Sequence, residues 1–153
     1  KKIQAAVRTP SIKRSKVTSG MPSKASKMPR LIGWRITEYG GKAICYVTDT
    51  EHVPGELDEN ILTLVEGAEI MIYDATYTED EYPAKVGWGH SSIGQVVDLA
   101  HNADVKNLYL FHHDPGQTDD DIDRKHETAV EDLAKRNSST QCLAPSEGDL
   151  VRI

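Results

Sequence analysis

Two short apolar runs, Ile-Met-Ile-Tyr at residues 70–73 and Leu-Tyr-Leu-Phe at 108–111, restrict the fold of this chain more than any other feature. Each lacks the polar alternation of a half-exposed strand, so each reads as a strand buried on both faces. Both stop abruptly at side chains that bind metals or move protons: Asp74 after the first, and His112, His113 and Asp114 after the second. A third run, Ala-Ile-Cys-Tyr-Val-Thr at 43–48, ends the same way in Asp49. Polar residues just past the ends of buried strands stand at the rim of a sheet on rigid supports. The three runs are therefore expected to deliver Asp49, Asp74 and the His112/His113 pair to one edge. Carboxylate plus imidazole is a donor set that suits zinc, manganese or iron.

The period changes between the two buried runs. Ile93, Val96, Val97 and Ala100 fall at i, i+3, i+4 and i+7, one face of a helix that Ser91 or Ser92 caps. His90 then sits at the mouth of that helix, where the positive end of the helix dipole favours anions, phosphate included. Strand, helix and strand in this order form a βαβ unit with parallel strands and a right-handed crossover, so the fold class is α/β. Upstream, residues 32–36 and 43–48 flank Gly40-Gly41 and read as a β-hairpin. Residues 58–66 read as a short helix with Ile61, Leu62 and Val65 inward, closed by Gly67. The stretch 78–88 mixes Tyr, Trp and acids without a period, as a functional surface loop does. Thr118 with Asp121 opens a helix that runs through Arg136 with Ile122, Ala129, Val130 and Leu133 inward. Asp119, Asp120 and Asp121 lack the glycine and glutamate spacing of a calcium loop and fit a helix N-terminus instead. Residues 150–153 read as a weak last strand.

Composition divides the chain of 153 residues near residue 30. Residues 1–30 carry nine Lys and Arg and no acid, whereas residues 31–153 carry nine against twenty-four Asp and Glu, a net charge of −15. The basic leader, poor in large apolar residues, is expected to be disordered or unrelated to the folded part at 31–153. It could serve as a nucleic-acid arm, although no aromatic is interleaved in it, while the acidic body disfavours non-specific nucleic-acid binding. Cys45 and Cys142 read as reduced thiols of a cytoplasmic protein. No apolar run approaches the roughly 18 residues of a membrane span.

The segments Tyr46-Val-Thr-Asp49-Thr50, Asp74-Ala-Thr-Tyr77, Gly89-His90-Ser91, Leu110-Phe-His112-His113-Asp114-Pro115 and Ala144-Pro-Ser-Glu147-Gly148 follow one another in an informative order. Together they resemble the C-terminal half of a metallo-β-lactamase-fold hydrolase, in the phosphodiesterase branch around ribonuclease Z and its cyclic-nucleotide phosphodiesterase relatives. The resemblance covers residues 31–153 and implies the C-terminal half of an αββα sandwich, preceded by a non-matching basic leader. It implies Asp49 as a carboxylate bridging two metals and His112 as the last metal histidine. It implies His90 beside the scissile phosphate as general acid or charge stabiliser, with Asp74 and Asp114 supporting the site from behind. The implied cofactor is a divalent metal, zinc before manganese or iron, and the implied chemistry is hydrolysis of a phosphodiester or other small ester by metal-activated water.

One departure from that pattern is large. The family's His-x-His-x-Asp-His motif is absent from the chain, and no histidine precedes His52. Asp49 and His112 alone cannot hold two metals, since a zinc site takes three or four protein ligands. Two other readings follow. The chain is a non-catalytic or partner-dependent half domain whose uncovered sheet face self-associates, or a nucleic-acid-binding module that uses residues 1–30. The site residues also have purely structural readings: Asp49 closes a turn, His90 starts a helix and His112 ends a strand.

Overall fold

In the computed structural model, residues 13–17, 32–37 and 41–151 are described. Six strands lie side by side in chain order: β1 (Lys13–Val17), β2 (Ile32–Thr37), β3 (Ala43–Thr48), β4 (Ile70–Asp74), β5 (Asn107–Phe111) and β6 (Gln141–Leu143). The first three are antiparallel neighbours, and β3 through β6 are parallel. Three helices, α1 (Glu59–Val65), α2 (Ile93–Asn102) and α3 (Asp119–Lys135), make the crossovers. The parallel part therefore consists of strands with helical returns, as the change of period requires. All three helices bury their apolar residues in one core with Cys45, Val47, Met71, Tyr73, Leu108 and Leu110. Each fully buried Val or Leu there contributes about 1.5–3 kcal/mol relative to exposure.

Local chemistry sets most element ends. Asp58 caps α1 by accepting from the amides of Asn60 and Ile61, Ser92 caps α2 and Thr118 caps α3, the last two with reciprocal capping boxes to Gln95 and Asp121. Gly67 after α1 sits at φ 60°, a conformation that favours glycine. In the antiparallel hairpin of β2 and β3, Gly41 has φ 92° and residue 40 lies outside the described residues.

Four expectations change. The last strand is β6, not residues 150–153: of that stretch, Leu150 and Val151 are described and lie outside any strand. Three residues after an Asn-Ser-Ser-Thr break are too few to show a period. In α1, Leu64 rather than Leu62 joins Ile61 and Val65 in the buried set. In α3, Val130 is exposed and its inward place is taken by Lys125, which is only 2% exposed. Finally, part of the basic leader lies in the sheet, because β1 pairs with β2 along its whole length. The rest of the leader lies outside the described residues.

The opposite sheet face carries the alternate residues. Ile36, Ile44, Tyr46, Ile72 and Phe111 share it by register, and Ile36 and Phe111 are each 41% exposed. No described helix packs its buried residues there. Among the described residues no helix is long and apolar enough to cross a membrane.

Candidate metal centre

The C-terminal ends of β3, β4 and β5 are adjacent, and the register sets Asp74 opposite Phe111. Asp49, one residue past β3, and His112, one residue past β5, therefore flank Asp74 on the central strand. Asp49 and His112 both adopt left-handed backbone conformations, φ 51° and φ 57°, which turn the chain sharply at the strand ends. His112 Nε2 lies 3.6 Å from Asp49 Oδ1. His90 arrives from the loop before α2, and its ring stacks on that of His112 at 4.7 Å between centroids. One ligand atom from each of Asp49, His90 and His112 falls within 4.8 Å of the others. One carboxylate oxygen and two imidazole nitrogens at that spacing fit a single divalent cation. Among the described residues they do not supply the larger ligand set that two cations need.

Asp74 organises the group from behind. It is fully buried, which is costly for a carboxylate unless hydrogen bonds replace its water. Its Oδ1 accepts from the amide of Thr76 at 3.2 Å and from its hydroxyl at 2.7 Å, and its Oδ2 accepts from the Thr50 amide at 3.3 Å. His90 Nδ1 stands 2.8 Å from the same Oδ2, and His112 Nδ1 is 3.9 Å away. A carboxylate on Nδ1 fixes the proton there and leaves Nε2 of His90 with its lone pair turned to the rim. Thr76 Oγ1 is also 3.1 Å from His112 Nδ1 and 2.7 Å from the His112 carbonyl.

The loop carrying His90 is held on both sides. Glu51 accepts from the amides of Gly87 at 2.5 Å and Gly89 at 2.9 Å, and Ser91 Oγ donates to the Thr50 carbonyl at 2.7 Å. A parallel bridge between Tyr77 and Ser92 ties the segment after β4 to the start of α2. His90 thus depends on the turn after β3 as well as on its own helix.

The structure assigns other residues differently from their expected places. Asp114 accepts from the Gly116 amide at 2.8 Å and shapes its own loop, while Thr76, not singled out in the sequence, bridges Asp74 and His112. His52 is 3% exposed, and its Nε2 lies 2.8 Å from the buried Tyr73 hydroxyl. Burial pushes the pKa of His52 down, so it is neutral near pH 7. His113 is pushed down to about 4 by burial, then by the charges of Lys125 and His112. Cys45 and Cys142 are free thiols. Lys125 Nζ donates to the Ala75 and Thr76 carbonyls at 2.7 and 3.1 Å, bracing the turn that carries Thr76. A lysine three residues after Ile122 and four before Ala129, on the inward stripe, was the signal in the sequence for that role.

Known proteins resemble this chain in sequence and in fold. The model of the β-lactamase superfamily domain matches residues 5–113. Ribonuclease Z of Brevibacillus brevis is 29% identical over 110 residues, 72% of this chain and 33% of the relative. Ribonuclease BN of Proteus mirabilis is 33% identical over 76 residues, 50% of this chain and 23% of the relative. The metallo-β-lactamase fold protein YhfI from Bacillus subtilis superposes with a TM-score of 0.64 at 16% identity, over 92% of this chain and 50% of that one. Human tRNase Z, short form, superposes with a TM-score of 0.52 at 21% identity, over 69% of this chain and 37% of that one. The chain thus spans about a third of the Brevibacillus ribonuclease Z and half of YhfI. By the family match it belongs to the β-lactamase superfamily, it has the fold of the metallo-β-lactamase-fold proteins, and part of it is similar in sequence to ribonuclease Z.

Proposed function

We propose that this chain carries part of a metal-dependent phosphodiesterase site, in which Asp49 and His112 hold a divalent cation, zinc foremost, and His90 faces the phosphoryl group. The approach of Asp49, His90 and His112 to within 4.8 Å, from three separate segments, carries this reading. A divalent cation bound there supplies an acidified water and a positive charge for the phosphoryl oxygens. Asp74 orients His90 through Nδ1 and stabilises its imidazolium, whose Nε2–H would then donate to the developing charge or to the leaving oxygen. Thr76 fixes the orientation of His112, and Glu51 fixes the loop beneath His90. The names of the ribonuclease Z relatives support a phosphodiester of RNA as the substrate class.

The test separates holding the metal from using it. Purified chain should retain zinc or manganese and cleave bis-p-nitrophenyl phosphate. His90→Ala should lose cleavage while keeping most of the metal, and Asp49→Ala or His112→Ala should lose both. Metal-free, inert protein would sink this reading.

The apolar sheet face that no described helix covers favours a second reading, a half domain that functions only when another sheet packs on Ile36, Tyr46, Ile72 and Phe111. Sedimentation at increasing concentration checks it. Self-association that Phe111→Lys abolishes supports it, and a monomer at all concentrations opposes it.

A further inference from the structure

Trp88, two residues before His90, is 64% exposed. An indole left in water on a surface loop is unusual when nothing requires it there, because burying it would gain free energy. The loop itself is not loose. Glu51 takes the amides on both sides of Trp88, those of Gly87 and Gly89, and the Trp88 amide donates to the Lys85 carbonyl at 3.0 Å. Gly87 and Gly89 each adopt φ 90°, which most other residues avoid, so the turn presenting the indole is built for its shape.

Lys85 fills the space between this indole and the metal centre. Its Nζ lies 4.2 Å from the centre of the Trp88 ring and 5.7 Å from that of Tyr77. Tyr77 in turn meets His90 edge-on at 6.0 Å, and His90 stacks on His112. Trp88, Lys85, Tyr77, His90 and His112 therefore follow one another in a row, in which the Lys85 ammonium links the indole to Tyr77, Tyr77 meets His90 edge-on and His90 stacks on His112. Among the described residues Lys85 makes no ion pair, so its charge is available to a ligand. The neighbouring cavity of about 580 Å³ is lined by Glu79, Asp80, Glu81, Asp114 and Asp121 against Lys85, Arg124 and Lys125. That balance repels a phosphate from the cavity and leaves it at the end of the row near His90.

We infer that Trp88 and Lys85 form a nucleotide subsite beside the metal centre, with a base stacked on the free face of the Trp88 indole and its phosphate drawn to Lys85 and His90. The inference rests on the phosphodiesterase reading for the position of the phosphate, and it assigns to Trp88 and Lys85 the holding of the nucleotide beside the scissile group. Every base has a π-face, so the subsite reads the presence of a base rather than its identity.

Zinc-loaded full chain is titrated calorimetrically with adenosine 5′-monophosphate and with ribose 5-phosphate. Neither has a diester to cleave, so binding is read without turnover. The adenine compound should bind more tightly by on the order of 5- to 100-fold, the range found when aromatic platforms for bases are removed. Trp88→Ala should erase that ratio and leave ribose 5-phosphate unchanged. Trp88→Phe should keep most of the ratio, and Lys85→Met should weaken both ligands. Equal affinities in the unaltered protein, no binding of either ligand, or a Trp88→Ala variant that keeps the ratio would each overturn the subsite. Cleavage of bis-p-nitrophenyl phosphate is measured on the same preparations. In the unaltered protein, equal affinities with cleavage intact reject the subsite alone, and absent cleavage rejects the parent reading.

Discussion

Lys125→Met should leave stability nearly unchanged at pH 7 and make the protein progressively weaker than its parent as the pH rises towards 10. Lys125 is 2% exposed, and burial lowers its pKa from the ordinary 10.5 to about 8, against the raising influence of Glu81, Asp114, Asp74 and Asp121. A depressed amine pKa means that the unfolded chain binds the proton more tightly than the folded one. Between about pH 8 and pH 10.5 the folded protein has given up a proton that the unfolded chain keeps, so stability rises with pH. The rise is worth about 3 kcal/mol over that interval, at about 1.4 kcal/mol per pKa unit. Methionine removes this contribution while filling a similar volume. It also leaves the Ala75 and Thr76 carbonyls without their donor, at a cost of roughly 1–3 kcal/mol each, offset at pH 7 by no longer burying a charge. Urea unfolding of parent and variant at pH 7, 8, 9 and 10 gives the comparison. Cys142, pushed up to about 12 by burial, and Tyr73, also raised by burial, lower stability above pH 9 in both proteins. The difference between the two proteins is therefore the quantity to read. A difference that stays flat from pH 7 to pH 10 would refute the buried, easily deprotonated amine.

Two further substitutions test the support of the site and the packing beneath it. Asp74→Asn should lower cleavage of bis-p-nitrophenyl phosphate by about 10- to 100-fold while most of the zinc stays bound, because it removes the carboxylate that orients His90; unchanged cleavage would remove Asp74 from the site. Gly33→Ala should destabilise by about 1–3 kcal/mol, because the new methyl would collide with Leu64 Cδ2 and press on Val47 Cγ2 at 3.3 Å; a urea midpoint equal to the parent's would show that Leu64 gives way freely.

The buried strands, the βαβ unit, a serine cap for α2 at Ser91 or Ser92 and the Thr118 to Asp121 start of α3 were legible in the sequence because each is written in local patterns. Asp49, His90 and His112 could be singled out because each closes or opens an element whose period was plain. Lys125 escaped because a search for an apolar stripe passes over a charged residue lying on it. Thr76 and Glu51 escaped for another reason. Their work is done across gaps of 36 residues, from Thr76 to His112 and from Glu51 to Gly87, and no short-range pattern encodes such a pairing. Strand β6 is three residues long, below the length at which alternation can be seen.

The left-handed backbone at Asp49 and His112 ties chain reversal and the proposed cation ligands to the same two positions. Aspartate, asparagine and histidine are the side chains that best tolerate that conformation after glycine. Folding alone would therefore favour nearly the short menu that cation binding favours, and a tolerance screen scored on expression or melting would mistake one demand for the other. Glycine separates them: at either position it preserves the reversal and deletes the donor, so whatever such a variant loses belongs to the ion and not to the bend.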